Sequence, residues 1–276
     1  NKAYGLNYDN RSERPQYDQQ GLLALASQEN MEQDKRAMLA ILDKWKAKQK
    51  AEKPYLFIIN TSGGGNRSAT FTMNVLQRLD SLSGGELMKK TFLITGSSGG
   101  MLGASYFREL DRERREGKGI DPEDHKYVDD ISGDLLNALF TSFVARDLAS
   151  PAQKFQVGKY TYIKDRGYAF EQKLNQNTRG LLNKRLIDLY DDEKNARIPL
   201  ALYNSVITRD GRKLIISTQP VRFLMRPVVD TNQLDAVDPD AVDYRSFFAK
   251  QDPLNLRLLT AMRMNATFPY VLPNVW

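Results

Sequence analysis

Gly96-Ser97-Ser98-Gly99-Gly100 is the stretch whose residue types and spacing most clearly permit chemistry. It lies between the apolar run at 91–95 and a helix-like run at 101–107, and it reads as G-x-S-x-G. That context places Ser98 on a sharp strand-to-helix turn, which lifts a hydroxyl clear of the backbone. The turn is tight, so the positions two before and two after the nucleophile must be small. Gly96 and Gly100 satisfy this for Ser98, whereas Ser97 would have Thr95 and Gly99. Sterics favour Ser98. The plain alternative is a glycine-rich turn with no reactivity.

A serine that attacks a carbonyl builds an oxyanion, and backbone N–H groups must face it. Losing one such donor costs on the order of 10²–10³ in rate. Ser62-Gly63-Gly64-Gly65-Asn66-Arg67 follows the apolar run at 55–59 and opens a helix. Consecutive glycines there let the backbone approach a ligand and expose its N–H groups. Gly63, Gly64 and Gly65 are therefore the candidate oxyanion hole, and Arg67 adds a charge suited to a lipid phosphate or to bracing the loop. A nucleotide-phosphate loop fits less well, because the Gly-Lys-Ser/Thr ending and the G-x-G-x-x-G spacing are both missing. The chain has one histidine, His125, inside the charged segment 111–130, where it reads as a surface residue. The base is then a carboxylate, or lies outside the chain. With no Cys, disulfides, zinc-thiolate sites and a cysteine nucleophile are excluded. No acidic loop has EF-hand spacing, and no cofactor or metal is expected.

The elements that must position these residues follow from the hydrophobic pattern. The order strand, loop, helix, strand, elbow, helix predicts an α/β fold with parallel strands and crossover helices. Chemistry then belongs at the carboxyl ends of the strands. Residues 1–30 are polar and read as an extended or partly ordered arm. Residues 31–50 read as an amphipathic helix with Met38, Ile41, Leu42 and Trp45 on one face, packed on its own domain or laid on a membrane. The helix after the glycine loop aligns Val75, Leu76, Leu79 and Leu82, and Ser83-Gly84-Gly85 breaks it. An apolar stripe at 135–144 reads as core first, and otherwise as an acyl-chain cleft or membrane face. A helix around 181–190 follows. Strands at 198–208 and 212–218 form a hairpin at Arg209-Asp210-Gly211, and a last helix covers 254–266.

The chain has 276 residues, of which 41% are hydrophobic and 27% charged, and its net charge is +6. That size buries a core without staples. A basic surface suits anionic partners such as a phospholipid membrane, and no nucleic-acid motif accompanies it. No apolar run approaches the ~20 residues of a transmembrane helix. The chain starts at Asn1 and reads as a segment of a longer protein, which leaves compartment and oligomeric state open.

Three blocks in order, Ser62-Gly63-Gly64-Gly65-Asn66-Arg67, then Gly96-Ser97-Ser98-Gly99-Gly100, then Ala266-Thr267-Phe268-Pro269 with Pro273, resemble the patatin-like phospholipase family, and the first is close to its cytosolic phospholipase A branch. The hairpin at Asp210-Gly211 also resembles the family's mid-domain hairpin. The match runs over about residues 54–276. It implies a three-layer patatin-like fold: a mostly parallel central sheet with flanking helices. It divides the chain into an arm and amphipathic helix at 1–50 and a catalytic domain at 51–276. It also implies a Ser-Asp dyad without histidine acting on phospholipid or other lipid esters. Carried over, Ser98 is the nucleophile, Gly64 and Gly65 supply oxyanion N–H groups, and Arg67 supports the loop or meets phosphate. The family's aspartate sits in an Asp-Gly-Gly/Ala motif after the Phe-Pro block, so it is expected beyond Trp276. Asp210 precedes that block and reads as a turn residue. Two rival readings stand beside the lipid hydrolase: a lipid-binding module without the dyad, and an α/β-hydrolase whose histidine lies outside the chain.

Overall fold

The computed structural model describes residues 1–10, 12–142, 153–227, 237–268 and 271–275. Helices α1 (Gln19–Leu25) and α2 (Gln28–Ala47) precede β1 (Phe57–Thr61), α3 (Gly65–Leu82), α4 (Leu87–Lys90), β2 (Thr91–Gly96) and α5 (Ser98–Arg115). Next come α6 (Lys126–Ser132), α7 (Leu136–Ser142), β3 (Lys154–Val157), β4 (Tyr160–Ile163), α8 (Arg166–Asn177) and α9 (Ile187–Lys194). The chain continues through β5 (Leu200–Val206), β6 (Lys213–Ile216), β7 (Ala241–Asp243), α10 (Tyr244–Phe247) and α11 (Leu258–Asn265).

The central sheet has the order β1-β2-β5-β6-β7. Its β1–β2, β2–β5 and β6–β7 pairs are parallel and β5–β6 is antiparallel. The fold is thus α/β, with a mostly parallel sheet flanked by helices, as expected. Thr61, the last residue of β1, lies opposite Gly96, the last of β2, so these two strands end level, while β5, level with them at Tyr203, runs on to Val206. The segments that follow these strands emerge on one side.

Helix starts follow capping chemistry. Asp18, Ser27 and Asp165 each accept a hydrogen bond from a backbone N–H in the first turn of α1, α2 and α8. Helix α5 is the central strut: it is buried continuously from Gly99 to Asp111. Met101, Leu102, Tyr106, Phe107 and Leu110 join Ile94 of β2 in the main core. Each such side chain contributes about 2 kcal/mol by leaving water.

The structure departs from the sequence reading in several places. Residues 1–10 lack regular structure but are not a free arm. Ala3, Tyr4 and Leu6 are buried, the Arg257 N–H bonds the Tyr4 carbonyl at 2.9 Å, and the Arg263 guanidinium lies 4.9 Å from the Tyr4 ring centre. Scattered apolar residues in a polar stretch leave no periodic signal. Helix α2 packs Met31, Ile41 and Trp45 inward, and buried Asp34 holds Arg222 at 2.7 Å. In α3 the apolar stripe faces outward: Phe71, Val75, Leu79 and Leu82 are exposed, while Ala69, Thr72, Met73 and Leu76 are buried. Helix α8 has no counterpart in the sequence reading, and residues 181–186 precede α9 without being helical. Of the stripe at 135–144, Leu135 and Leu139 are buried and Leu136 and Phe140 exposed; Phe143 and Val144 lie outside the described residues.

Candidate active site

Because β1 and β2 end level, the glycine loop at 62–65 and the elbow at 97–98 are neighbours. The Ser97 N–H donates to the Thr61 carbonyl at 3.1 Å, tying the two turns together. Ser97 is extended, with φ −136° and ψ 148°. Ser98, the first residue of α5, has φ 52°, in the left-handed region that non-glycine residues rarely enter. Of the two competing serines, it is Ser98 that carries the strained backbone of a strand-to-helix turn.

Glycine is required on both sides of that turn. Gly96 has φ 147°, and a Cβ there would lie 2.3 Å from the Thr61 carbonyl oxygen. On α5, a Cβ at Gly99 would lie 1.9 Å from the Gly65 carbonyl oxygen, at Gly100 2.4 Å from that of Ser62, and at Gly103 2.4 Å from that of Ala69. This stripe lets the loop and the first turns of α3 rest directly on the α5 backbone. A Cβ at Gly63 would fall 3.3 Å from Ser98 Cβ and 3.5 Å from Ser97 Oγ. The structure therefore brings Ser98 and the Gly63–Gly65 loop together.

The local field favours negative charge. Gly64 and Ser97 cap α3 and α5, and neither cap makes a side-chain hydrogen bond to its helix. Two helix N-termini thus present uncapped N–H groups on the same side of the sheet. Arg67 stands in the first turn of α3, exposed and without a hydrogen bond or ion pair among the described residues. The Ser68 hydroxyl donates to the Ser62 carbonyl at 2.6 Å, and the Asn66 amide to the Gly133 carbonyl at 3.1 Å, so the loop is held from both sides.

A cleft of about 490 Å³ opens beside the elbow, lined by Ser97, Asn204, Ser205, Ile207, Met264 and Asn265 among others. Ser97, not Ser98, lines it. Asn204 and Asn265 both donate side-chain N–H groups to the Gly96 carbonyl, at 3.4 and 2.9 Å, and Asn265 also reaches the Asn204 carbonyl at 2.8 Å. The two asparagines brace the elbow from the β5 and α11 side, and Asn265 Oδ1 is buried without a hydrogen-bond partner among the described residues. Neither was legible as a site residue, although Asn265 directly precedes the Ala266-Thr267-Phe268 block. Among the described residues, no Asp, Glu or His lines this cleft. His125 caps α6 in solvent, 3.5 Å from Asp129. Asp210 accepts a hydrogen bond from the Tyr17 hydroxyl at 2.8 Å and pairs with Arg212 in the β5–β6 turn. Among the described residues, no group of three or more His, Asp or Glu is placed to hold a metal ion.

No family model matches the chain. No curated protein matches it. The chain is similar to two solved structures of human GIVD cytosolic phospholipase A2. One is in complex with methyl gamma-linolenyl fluorophosphonate: TM-score 0.38, 15% identity, 74% of this chain and 28% of that one. The other holds the same inhibitor and terbium chloride: TM-score 0.38, 14% identity, 95% of this chain and 39% of that one. The chain spans well under half the length of either.

Proposed function

We propose that this chain carries the nucleophile and oxyanion loop of a serine lipid acyl hydrolase. The observation behind this reading is Ser98 itself, held at φ 52° between an extended Ser97 and α5, with the glycine loop against it. In this reaction Ser98 Oγ attacks the ester carbonyl of a phospholipid or related lipid, and its proton passes to a general base. The carbonyl oxygen becomes an oxyanion facing N–H groups of the Gly63–Gly65 loop. Collapse of the tetrahedral intermediate breaks the ester C–O bond, and the leaving alcohol takes the proton. Water then attacks the acyl-enzyme, releases the fatty acid and restores the Ser98 hydroxyl. Arg67, exposed at the mouth of the loop, is suited to the substrate phosphate. The base in this reading is an aspartate, as the family resemblance implies, and a net charge of +6 suits work at an anionic membrane surface.

The test is labelling of the full-length protein with an alkyl fluorophosphonate, read by peptide mass spectrometry. The adduct is expected on the peptide containing Ser98, absent in Ser98→Ala and retained in Ser97→Ala. A second reading, a lipid-binding module, draws on the lack of any Asp, Glu or His lining the cleft among the described residues. It wins if the folded protein floats with phospholipid vesicles, wild type and Ser98→Ala alike, yet takes no label.

A further inference from the structure

At the other end of the sheet lies a second cavity, of about 610 Å³, within the range of small-ligand sites. Thr91, the first residue of β2, lines it, whereas Ser98 follows the last. Arg112 and Arg115 come from the last turn of α5, whose first residue is Ser98. Eighteen helical residues separate the two ends by roughly 26 Å, so this cavity is a different place from the elbow.

Its lining joins an apolar floor to a cationic wall. Trp45, Met88 and Ile198 form the floor. Lys48, Lys89, Arg112, Arg115 and Arg197 face only three lining carboxylates, Glu86, Glu116 and Asp192. Those carboxylates are already engaged. Asp192 is shared by Arg112 and Arg197 at 2.6 Å each, Glu86 takes Lys89 at 2.7 Å, and Glu116 takes Arg112 at 3.4 Å. Arg115 pairs with Asp111 beneath the wall and donates to the Arg197 carbonyl at 2.6 Å. Lys48 has no carboxylate partner among the described residues; its ammonium donates to the Asn195 carbonyl. Partial burial, then the charges of Arg197, Arg115 and Lys44, pull its pKa below the ordinary lysine value. Lys89, Arg112, Arg115 and Arg197 thus each have a carboxylate partner, and Lys48 does not.

We propose that this cavity binds a phosphomonoester carried on a flat or apolar group, with Lys48, Arg115 and Arg197 around the phosphate and the group on the Trp45 floor. Five cationic and three anionic side chains line the cavity, and with Asp111 beneath Arg115 counted one positive charge, that of Lys48, remains unmatched, which favours an anionic group there. Arg197, which meets Asp192 through Nε, has its terminal N–H groups to offer the oxygens. The chemistry is shared by a soluble phosphomonoester and by a phosphorylated lipid headgroup.

Calorimetric titration with phenyl phosphate tests the soluble source, with phenol as the uncharged control. Flotation with vesicles containing a phosphatidylinositol monophosphate tests the lipid source. Saturable binding of phenyl phosphate and not phenol is expected, at least about tenfold weaker in Lys48→Gln/Arg197→Gln. Both side chains are exposed, so the double variant is expected to melt like wild type, and each single variant provides a milder check. Ser98→Ala is expected to bind phenyl phosphate as wild type does, which keeps this site separate from the elbow. Vesicle binding that the double variant loses, without phenyl phosphate binding, assigns the cavity to a lipid headgroup. Absence of both, or binding unchanged in the double variant, overturns the proposal.

Discussion

Ser98 concentrates the cost of the site in one backbone angle. A side-chain-bearing residue at φ 52° is strained by about 1–3 kcal/mol, and the tightly packed Gly99 and Gly100 leave the turn no room to relax. Glycine takes that angle freely but loses about 0.5–1 kcal/mol in chain entropy. Ser98→Gly is therefore expected to raise unfolding stability by about 1 kcal/mol, measured by urea titration, while removing the nucleophile. A net loss of stability in this variant would mean that the turn is not strained as drawn. The elbow and the loop could be read from the sequence because their glycines are steric requirements at fixed spacing. Asn204 and Asn265 could not, since a bracing amide needs only to reach the Gly96 carbonyl, and two strand and helix ends far apart in sequence supply it.

Among the elements, the β7–α10 junction has the clearest pH signature. Asp243 ends β7, is fully buried and caps α10 through the Ser246 N–H at 3.2 Å and its hydroxyl. Burial pushes its carboxyl up to about 6, against the opposing hydrogen bonds from Ser246 and with a smaller push from Asp34. The folded pKa lies above the unfolded value, so the native state holds this proton more tightly. The stability it contributes is fully present below about pH 4 and is lost as pH rises through about 6. Asp243→Asn keeps a capping oxygen and removes the charge. It is expected to gain about 2 kcal/mol over wild type at pH 7 and little at pH 4, read from urea midpoints across that range. Parallel pH curves for the two proteins would show that Asp243 titrates normally. The strand–loop–helix order around the site was legible because each element has its own period. The outward face of α3 was not, because its buried side meets the α5 glycine stripe through Ala69 and Thr72, which no hydrophobic pattern marks. The buried arm at Tyr4 was hidden for a related reason: long-range contacts with Arg257 and Arg263 hold it, not local periodicity.

On the scale of the molecule, the chemistry candidates occupy opposite ends of one sheet, and a third feature lies along its side. Among the described residues β1 is an edge strand, and it is not blunted as edges usually are. Phe57 and Ile58 are 37% and 59% exposed, the preceding Tyr55 is 84% exposed, and no Lys or Pro stands between Phe57 and Thr61, where the pairing with β2 shifts register at Phe57/Ile58. Helix α3, which follows, adds exposed Phe71 and Leu82. Unpaired strand N–H and C=O groups beside apolar side chains offer a template for another strand, and neither water nor lipid satisfies both halves of that surface. A chain of these 276 residues is therefore expected to self-associate as its concentration rises, with light scattering after size exclusion showing mass above the monomer. Ile58→Lys places a charge on that edge without touching the core, since Ile58 is already mostly in solvent. It is expected to return the mass to the monomer with little change in melting temperature, whereas a surface lysine at Leu136, far along the chain on α7, is expected to leave the association as it was. Equal association in wild type and Ile58→Lys would place the contact elsewhere than on β1.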